Sequence, residues 1–104
     1  MTVTTTEKRG DTVIVRVTRN IDDMESGEAF KAALMALYHQ GEKEIVIDFG
    51  DARLINSHGI GKILMFYRRF KEIGGTISVS PLTGTIREIF VSLMLDELIP
   101  ERRV

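Results

Sequence analysis

The chain has 104 residues, of which 43% are hydrophobic, and its formal net charge is -1. This length and composition predict one globular domain with a single modest core, over residues 1–104. Fourteen Lys and Arg residues are interspersed with fifteen Asp and Glu residues, which leaves no basic excess for binding nucleic acid. The absence of cysteine excludes disulfides, thiolate metal sites and cysteine nucleophiles.

Membrane insertion is not expected, because no apolar run approaches the roughly 20 residues that a spanning helix needs. The first residues, MTVTTTEKRGD, also lack the apolar segment of a secretion signal. We therefore expect a cytoplasmic chain, and the lack of cysteine fits a reducing compartment.

The first part of the chain predicts a hairpin followed by a helix. Residues 2–7 and 12–17 are rich in Val, Ile and Thr, with the turn residues RGD between them. Residues 20–41 then show helical periodicity, with acidic residues near the start and Gly41 after the end. The apolar residues at helical spacing are Phe30, Ala33, Leu34 and Leu37.

The second part alternates strands and helices. EIVIDF predicts a strand covered on both faces, and TISVS, stopped by Pro81, predicts another. A helix is predicted from Ser57 to the glycines at 74 and 75, with Ile60, Ile63, Leu64, Tyr67, Phe70 and Ile73 on its core face. A third helix should bury Ile86, Ile89, Phe90 and Leu93, and Ile99 is a candidate start for a last short strand.

The resulting order is β-β-α-β-α-β-α, with a final β if the segment at Ile99 pairs. Strands that alternate with helices predict right-handed crossovers and parallel pairing. The fold class is therefore α/β, with a mixed, largely parallel sheet of four to five strands and helices packed on it.

Ser57 lies where a predicted strand gives way to a helix, and the residues alone suggest three roles: a helix cap, a catalytic serine, or part of a phosphate-binding loop. Serine is a preferred N-cap, which would make Ser57 a structural residue only. A catalytic serine is disfavoured, because adjacent helical residues point about 100° apart and His58 cannot easily act as its base. The other histidine, His39, is expected to face water, and the motif is not a G-x-S-x-G elbow. We expect no enzymatic activity.

A phosphate-binding loop is suggested by GIGK but fails at two positions. A P-loop needs glycine where Asn56 stands and Ser or Thr where Ile63 stands. We therefore expect no cofactor and no metal. The two glycines should instead let the start of the helix pack closely against the sheet, with Gly61 as a small contact residue.

The loop LINSHGIGKIL, the helix end KEIGG and the segment IREIF together resemble the STAS family of anti-sigma factor antagonists, over roughly Val3 to Ile99. Family members usually carry Asp-Ser-Ser/Thr-Gly-hydrophobic-Gly in this loop, and a partner kinase phosphorylates the serine after the aspartate. The match NSHGIG places Ser57 at that position, beside Asn56, His58 and Gly59.

Three departures from the family pattern are visible. Asn56 replaces the usual aspartate, and His58 replaces the usual Ser or Thr. Arg19 and Asn20 replace the Gly-Glu that precedes a hydrophobic residue and an aspartate, so Asp22 is the residue expected near the phosphorylation site. The neutral Asn56 would ease the arrival of a phosphate with about -1.5 to -2 charges.

The resemblance implies a non-enzymatic switch. Its partner would be a serine kinase of the histidine-kinase-like ATPase type, which also holds a sigma factor. The chain would bind this kinase when Ser57 is free and release it when Ser57 is phosphorylated. A metal-dependent phosphatase would reverse the modification. The alternative is a non-switched adaptor subunit of a transporter or signalling assembly, with Ser57 only a helix cap.

The partner is expected to contact the helix stripe opposite the predicted core face. The residues assigned to partner binding are His58, Lys62, Met65 and Arg69. Met65 carries the assignment, since an adaptable apolar side chain on a polar stripe is common at protein contacts.

Overall fold

An antiparallel hairpin opens the fold, and each later strand joins the sheet in parallel. The computed structural model describes residues 2–104. Its elements are β1 (Thr4–Arg9), β2 (Thr12–Val17), α1 (Met24–His39), β3 (Glu44–Asp48), α2 (Ser57–Glu72), β4 (Thr76–Ser80), α3 (Gly84–Ser92) and a 3-10 turn (Leu95–Glu97). The predicted order and the α/β class are confirmed. Within residues 2–104, no helix is both long enough and apolar enough to cross a membrane.

The sheet has four strands in the order β1-β2-β3-β4. Its three parallel strands are in register, with Ile14 opposite Val46 and Val46 opposite Ser78. Of the two alternatives, four strands or five, the structure has four, and the segment after Ile99 does not form a full strand. This segment forms only a bridge beside β4, where Val79 donates to the Pro100 carbonyl at 2.9 Å and accepts from the Arg102 amide at 2.9 Å.

One hydrophobic core joins the three helices to a single face of the sheet. Neighbouring parallel strands linked by right-handed crossovers place their helices on the same side. The strands contribute alternate residues, and the buried residues include Val13, Val15, Ile45, Ile47, Ile77 and Val79 from the sheet with Phe30, Leu34, Ile63, Phe66, Phe70, Ile86 and Phe90 from the helices.

The opposite face of the sheet is polar at its margins. Ile14 and Val46 are buried there, outside the main core cluster. Beside them Arg16 donates to Glu7 at 2.7 Å and lies 3.6 Å from Asp48. Val46 is buried on this face of β3, and Ile45 and Ile47 are buried on the other. The strand is therefore covered on both faces, as its sequence predicts.

The orientation of α2 differs from the predicted one. Leu64 and Tyr67 were assigned to the core but are only half-buried, whereas Phe66 is fully buried. Periodicity alone placed the core stripe too far to one side, because α2 packs on the sheet along one flank and on α1 along another. The correct core stripe of α2 is Gly59, Ile60, Ile63, Phe66 and Phe70.

Substitution of Phe66 tests this orientation. Phe66→Ala should lower the free energy of unfolding by about 3 to 5 kcal/mol, because it leaves a cavity under the helix. Arg68→Ala, two residues along on an exposed position, should change it by less than about 0.5 kcal/mol. Urea denaturation of the two variants measures both values. Similar losses for both would mean that the helix is rotated from the position described here.

Candidate functional site

Two loops that follow the carboxyl ends of β2 and β3 are bonded side by side. The amide of Ile21 donates to the Leu54 carbonyl at 3.0 Å, and the amide of Asn56 donates to the Ile21 carbonyl at 2.7 Å. The side-chain oxygen of Asn20 accepts from the amides of Arg53 at 2.8 Å and Leu54 at 3.1 Å. These four bonds fix the position of the loop that begins α2.

Asn20 is therefore a positioning residue that the sequence interpretation named only as a departure from the family pattern. The sequence signal for this role was the residue type. An Asn side chain can form hydrogen bonds with backbone amides that no strand or turn satisfies. Asp22, predicted to lie near Ser57, follows Ile21 in this bonded loop and is exposed.

Asn56, not Ser57, caps α2. The backbone of Asn56 is extended, with φ -86° and ψ 178°, and its side chain accepts from the Gly59 amide at 2.9 Å. Ser57 is the first helical residue, and its side chain is exposed. The interpretation of Ser57 as the cap was wrong, because the capping oxygen must come from the last non-helical residue.

Gly59 lets the helix start reach the two bonded loops. A Cβ atom on Gly59 would lie 2.6 Å from Ile55 Cγ1, which is closer than real Cβ atoms come, and 3.0 Å from Ile21 Cγ2, which is tighter than most real contacts. The predicted close packing at this glycine is present, but its neighbours are the two loops and not the strands of the sheet. Gly61 is different, because a Cβ there would have no neighbouring atom of the described residues within 4 Å. Its predicted role as a contact residue was therefore wrong.

Two carboxylates, Asp22 and Asp23, follow Ile21 in the bonded loop, and none lies in the first turn of α2. Asp23 caps α1 by accepting from the Ser26 amide at 2.7 Å, while its own amide donates to the Ser26 hydroxyl at 3.2 Å. The hydrogen bond from the Ser26 amide to the carboxylate, and after it the interaction of the Ser26 hydroxyl with the same carboxylate, hold the pKa of Asp23 below its ordinary value. Asp23 therefore stays ionised near neutral pH, next to the exposed Asp22.

The Cβ atom of His58 lies close to Gly27 of α1. A Cβ on Gly27 of α1 would lie 3.9 Å from His58 Cβ and 3.9 Å from Lys62 Cε.

Within residues 2–104, no group of three or more His, Asp or Glu side chains could hold a metal ion.

The predicted partner stripe lies partly along the seam between α1 and α2. His58 is exposed, but Lys62, Met65 and Arg69 are half-buried. The Arg69 guanidinium lies 3.9 Å from Met35 Sδ and about 6 Å from the rings of Tyr38 and Phe66. The prediction that the stripe lies opposite the core face was wrong for Lys62 and Arg69, because α1 packs against both. Their role in partner binding stays a prediction.

Two exposed apolar residues flank the site, and the sequence interpretation missed both. Leu54 is 40% exposed on the bonded loop, and Met24 is 73% exposed at the first residue of α1. The available signals were Leu54 next to the serine motif and Met24 between two acidic residues. Together with Ser57 and His58, they form what we call the switch surface.

An α/β domain with a mixed four-stranded sheet, helices on one face and an exposed serine at the start of its second helix defines the class of STAS domains. The chain belongs to the STAS family, since the family model described as "Mlab, STAS domain" matches residues 4–100. BtrV of Bordetella bronchiseptica, named as a candidate anti-sigma factor antagonist, is 24% identical over 80 residues, which cover 77% of this chain and 69% of that protein.

Solved structures show the same fold. A candidate anti-sigma factor antagonist of Thermotoga maritima has a TM-score of 0.87 at 18% identity, covering 97% of this chain and 86% of that one. The Bacillus cell fate determinant SpoIIAA, solved in its phosphorylated form, has a TM-score of 0.73 at 21% identity, covering 96% and 91%. The unphosphorylated form of SpoIIAA is also similar, with a TM-score of 0.68.

The two glycines of the motif provide a matched pair of substitutions. Gly59→Ala should lower the free energy of unfolding by about 1 to 3 kcal/mol, because the added methyl group overlaps Ile55 and Ile21. Gly61→Ala should raise it, by up to about 1 kcal/mol, since alanine is the better helix former and has room. Denaturant titration measures both changes, and equal signs would contradict the described packing.

The cap assignment predicts a second contrast. Asn56→Ala should cost about 0.5 to 2 kcal/mol of unfolding free energy, because the Gly59 amide loses its acceptor. Ser57→Ala should change it by less than about 0.5 kcal/mol, since its hydroxyl takes no part in the cap. Thermal melts of both variants compare the costs, and a larger loss for Ser57→Ala would restore serine as the cap.

Proposed function

We propose that the chain is a regulator of the anti-sigma factor antagonist type, switched by phosphorylation of Ser57. Free Ser57 lets the switch surface bind a protein partner, and phosphorylated Ser57 prevents that binding. The observation that carries the proposal is that Ser57 is exposed at the start of α2 while Asn56 already provides the cap. Ser57 can therefore be modified without the loss of a structural hydrogen bond.

The start of α2 can accept a phosphate. The cap uses the amide of Gly59, so the amides of Ser57 and His58 lack partners within the helix. These donors and the positive end of the helix dipole favour an anion there. With no acidic residue in the first turn, phosphorylation should leave α2 intact.

The same modification would disfavour a docked partner. Leu54 and Met24 offer apolar contact area, which a partner can use while Ser57 is small and neutral. A phosphate adds about -1.5 to -2 charges at Ser57. Binding would then require the desolvation of a dianion, and repulsion from any acidic group of the partner adds to that cost.

The proposed partners are those that the family resemblance implies. They are a serine kinase of the histidine-kinase-like ATPase type, which holds a sigma factor, and a metal-dependent phosphatase, all in the cytoplasm. His58 belongs to the switch surface, and Lys62, Met65 and Arg69 would contact the partner through their exposed sides. The adaptor alternative treated Ser57 as a cap, and the cap at Asn56 weighs against it.

Phosphorylation can be tested by intact mass. Incubation with ATP and a purified serine kinase of this type, from the same organism, should add the mass of one phosphate. Ser57→Ala should remove that gain. Ser92→Ala is the matched control and should keep it, because within residues 2–104 Ser57 and Ser92 are the exposed serines and Ser26, Ser78 and Ser80 are buried. Phosphate mapped to Ser92 or Thr83 would contradict the assignment.

Binding is tested separately on the same kinase. The unmodified chain should bind it, and the phosphorylated chain should bind at least about tenfold more weakly, which corresponds to about 1.4 kcal/mol. Leu54→Asp should also weaken binding without lowering the melting temperature. Val104→Asp, a similarly exposed apolar position in the C-terminal segment, serves as its control. Equal affinities before and after phosphorylation would refute the switch.

A further inference from the structure

A polar cavity of about 510 Å³ lies at the carboxyl ends of β3 and β4, and it shares no residue with the switch surface. Open α/β sheets bind small ligands at this edge, and sites for small molecules measure about 300 to 1,000 Å³. The polar residues that line the cavity are Asp48, Ser80, Thr83, Arg87, Glu101 and Arg103.

Hydrogen bonds from separate parts of the chain hold the walls of the cavity in place. Two backbone bonds at Val79 of β4 position Glu101 and Arg103 beside the end of that strand. The Leu82 amide donates to the Glu101 carboxylate at 3.1 Å, and the Arg87 guanidinium donates to the Leu82 carbonyl at 3.3 Å. The cavity is therefore a built feature of the fold.

Ser80 is a buried polar residue whose hydroxyl lacks a protein partner. It lines the cavity and is only 6% exposed, and its hydroxyl forms no hydrogen bond with another residue of the described chain. Asp48 lies opposite Ser80 on β3. One oxygen of Asp48 accepts from the Gly50 amide at 2.7 Å, and the other lies 3.6 Å from Arg16, which leaves acceptor sites unused. A donor group placed between Ser80 and Asp48 would satisfy both side chains.

Charges of both signs line the cavity and are not matched to one another. Arg87 and Arg103 are positive, while Asp48 and Glu101 are negative. Arg87 and Glu101 are 4.0 Å apart, and Arg103 forms no ion pair within residues 2–104. A ligand of a single charge would meet two side chains of its own sign. A zwitterion can instead place its cationic group near Asp48 and its anionic group near Arg103.

The remaining residues of the lining favour a carboxylate and an apolar group. Thr83 is the N-cap residue of α3, but its side chain forms no capping hydrogen bond, so its hydroxyl can donate to a ligand. The positive end of α3 also favours an anion at this position. Pro81, Leu82 and Val104 complete the lining with apolar surface.

We propose that this cavity binds a free amino acid with an apolar side chain. The ammonium group donates to the Asp48 carboxylate and to the Ser80 hydroxyl. The carboxylate accepts from the Arg103 guanidinium and the Thr83 hydroxyl, and the apolar side chain contacts Leu82. The site does not depend on Ser57, so a failure of the switch proposal would leave it standing.

NMR titration of the isotope-labelled chain tests the class of ligand. L-leucine should shift the backbone amide signals of Ser80, Thr83 and Arg103 until they saturate. Leucinamide lacks the carboxylate and N-acetylleucine lacks the ammonium group, so each should bind at least about tenfold more weakly. Equal binding of N-acetylleucine would mean an anion site, and equal binding of leucinamide a cation site. Either result, or no saturable shift with leucine, would overturn the proposal.

Two neighbouring arginines provide a matched pair of variants. Arg103→Gln should weaken leucine binding at least about tenfold, a loss of about 1.4 kcal/mol, because the carboxylate loses its charged donor. Arg102→Gln should bind leucine as the wild type does, since Arg102 lies 4.0 Å from Glu44 and does not line the cavity. The same titration measures both variants. Equal effects of the two substitutions would contradict the assigned site.

Ser80→Ala separates binding from stability. The variant should melt at the wild-type temperature or above, because it removes a buried hydroxyl that has no partner in the described chain. Leucine binding should weaken by about three- to tenfold, since the ammonium group loses one acceptor. Melting curves and the leucine titration measure the two effects. Unchanged leucine binding would overturn the proposal, whatever the melting temperature.

Discussion

The close approach of Gly59 to Ile21 and Ile55 is the constraint on which the site depends. Only a residue without a Cβ can bring the first turn of α2 this near to the two loops. The parallel bridge between Ile21 and Ile55 joins the loops, and the bond from the Asn56 amide continues it to the cap. The start of α2 is thus fixed by backbone contacts, which a change at Ser57 does not touch.

At the start of α2, neighbouring residues have different roles, some structural and one proposed to be regulatory. Asn56 holds the helix end, Gly59 permits the packing, and Ser57 between them presents its hydroxyl to solvent. A serine that served as cap would lose its hydrogen bond on modification and loosen the helix. In the proposed switch, phosphorylation changes the charge of the surface while the fold below it is retained.

Much of the fold was predicted from the periodicity of apolar residues. The loop that carries Ser57 was recognised from its motif. Strands and helices were correctly ordered because their apolar residues recur at periods of two and 3.6. The cap was misplaced by one residue, because Asn and Ser are both good caps and sequence cannot show where helical backbone begins. The role of Phe66 was missed because α2 packs on two neighbours, and periodicity does not reveal that Gly27 brings α1 against His58 and Lys62.

Phosphorylation at the start of α2 is expected to act close to the modified residue. Charges in solution at physiological salt are screened over about 8 Å, well short of the roughly 21 Å between Ser57 and Lys71 near the other end of the helix. Between these two residues, α2 packs on the core through Ile63, Phe66 and Phe70, which are fully buried. In the proposed switch, the partner therefore responds to a change of surface charge at one end of α2, while the packed part of the helix keeps its position.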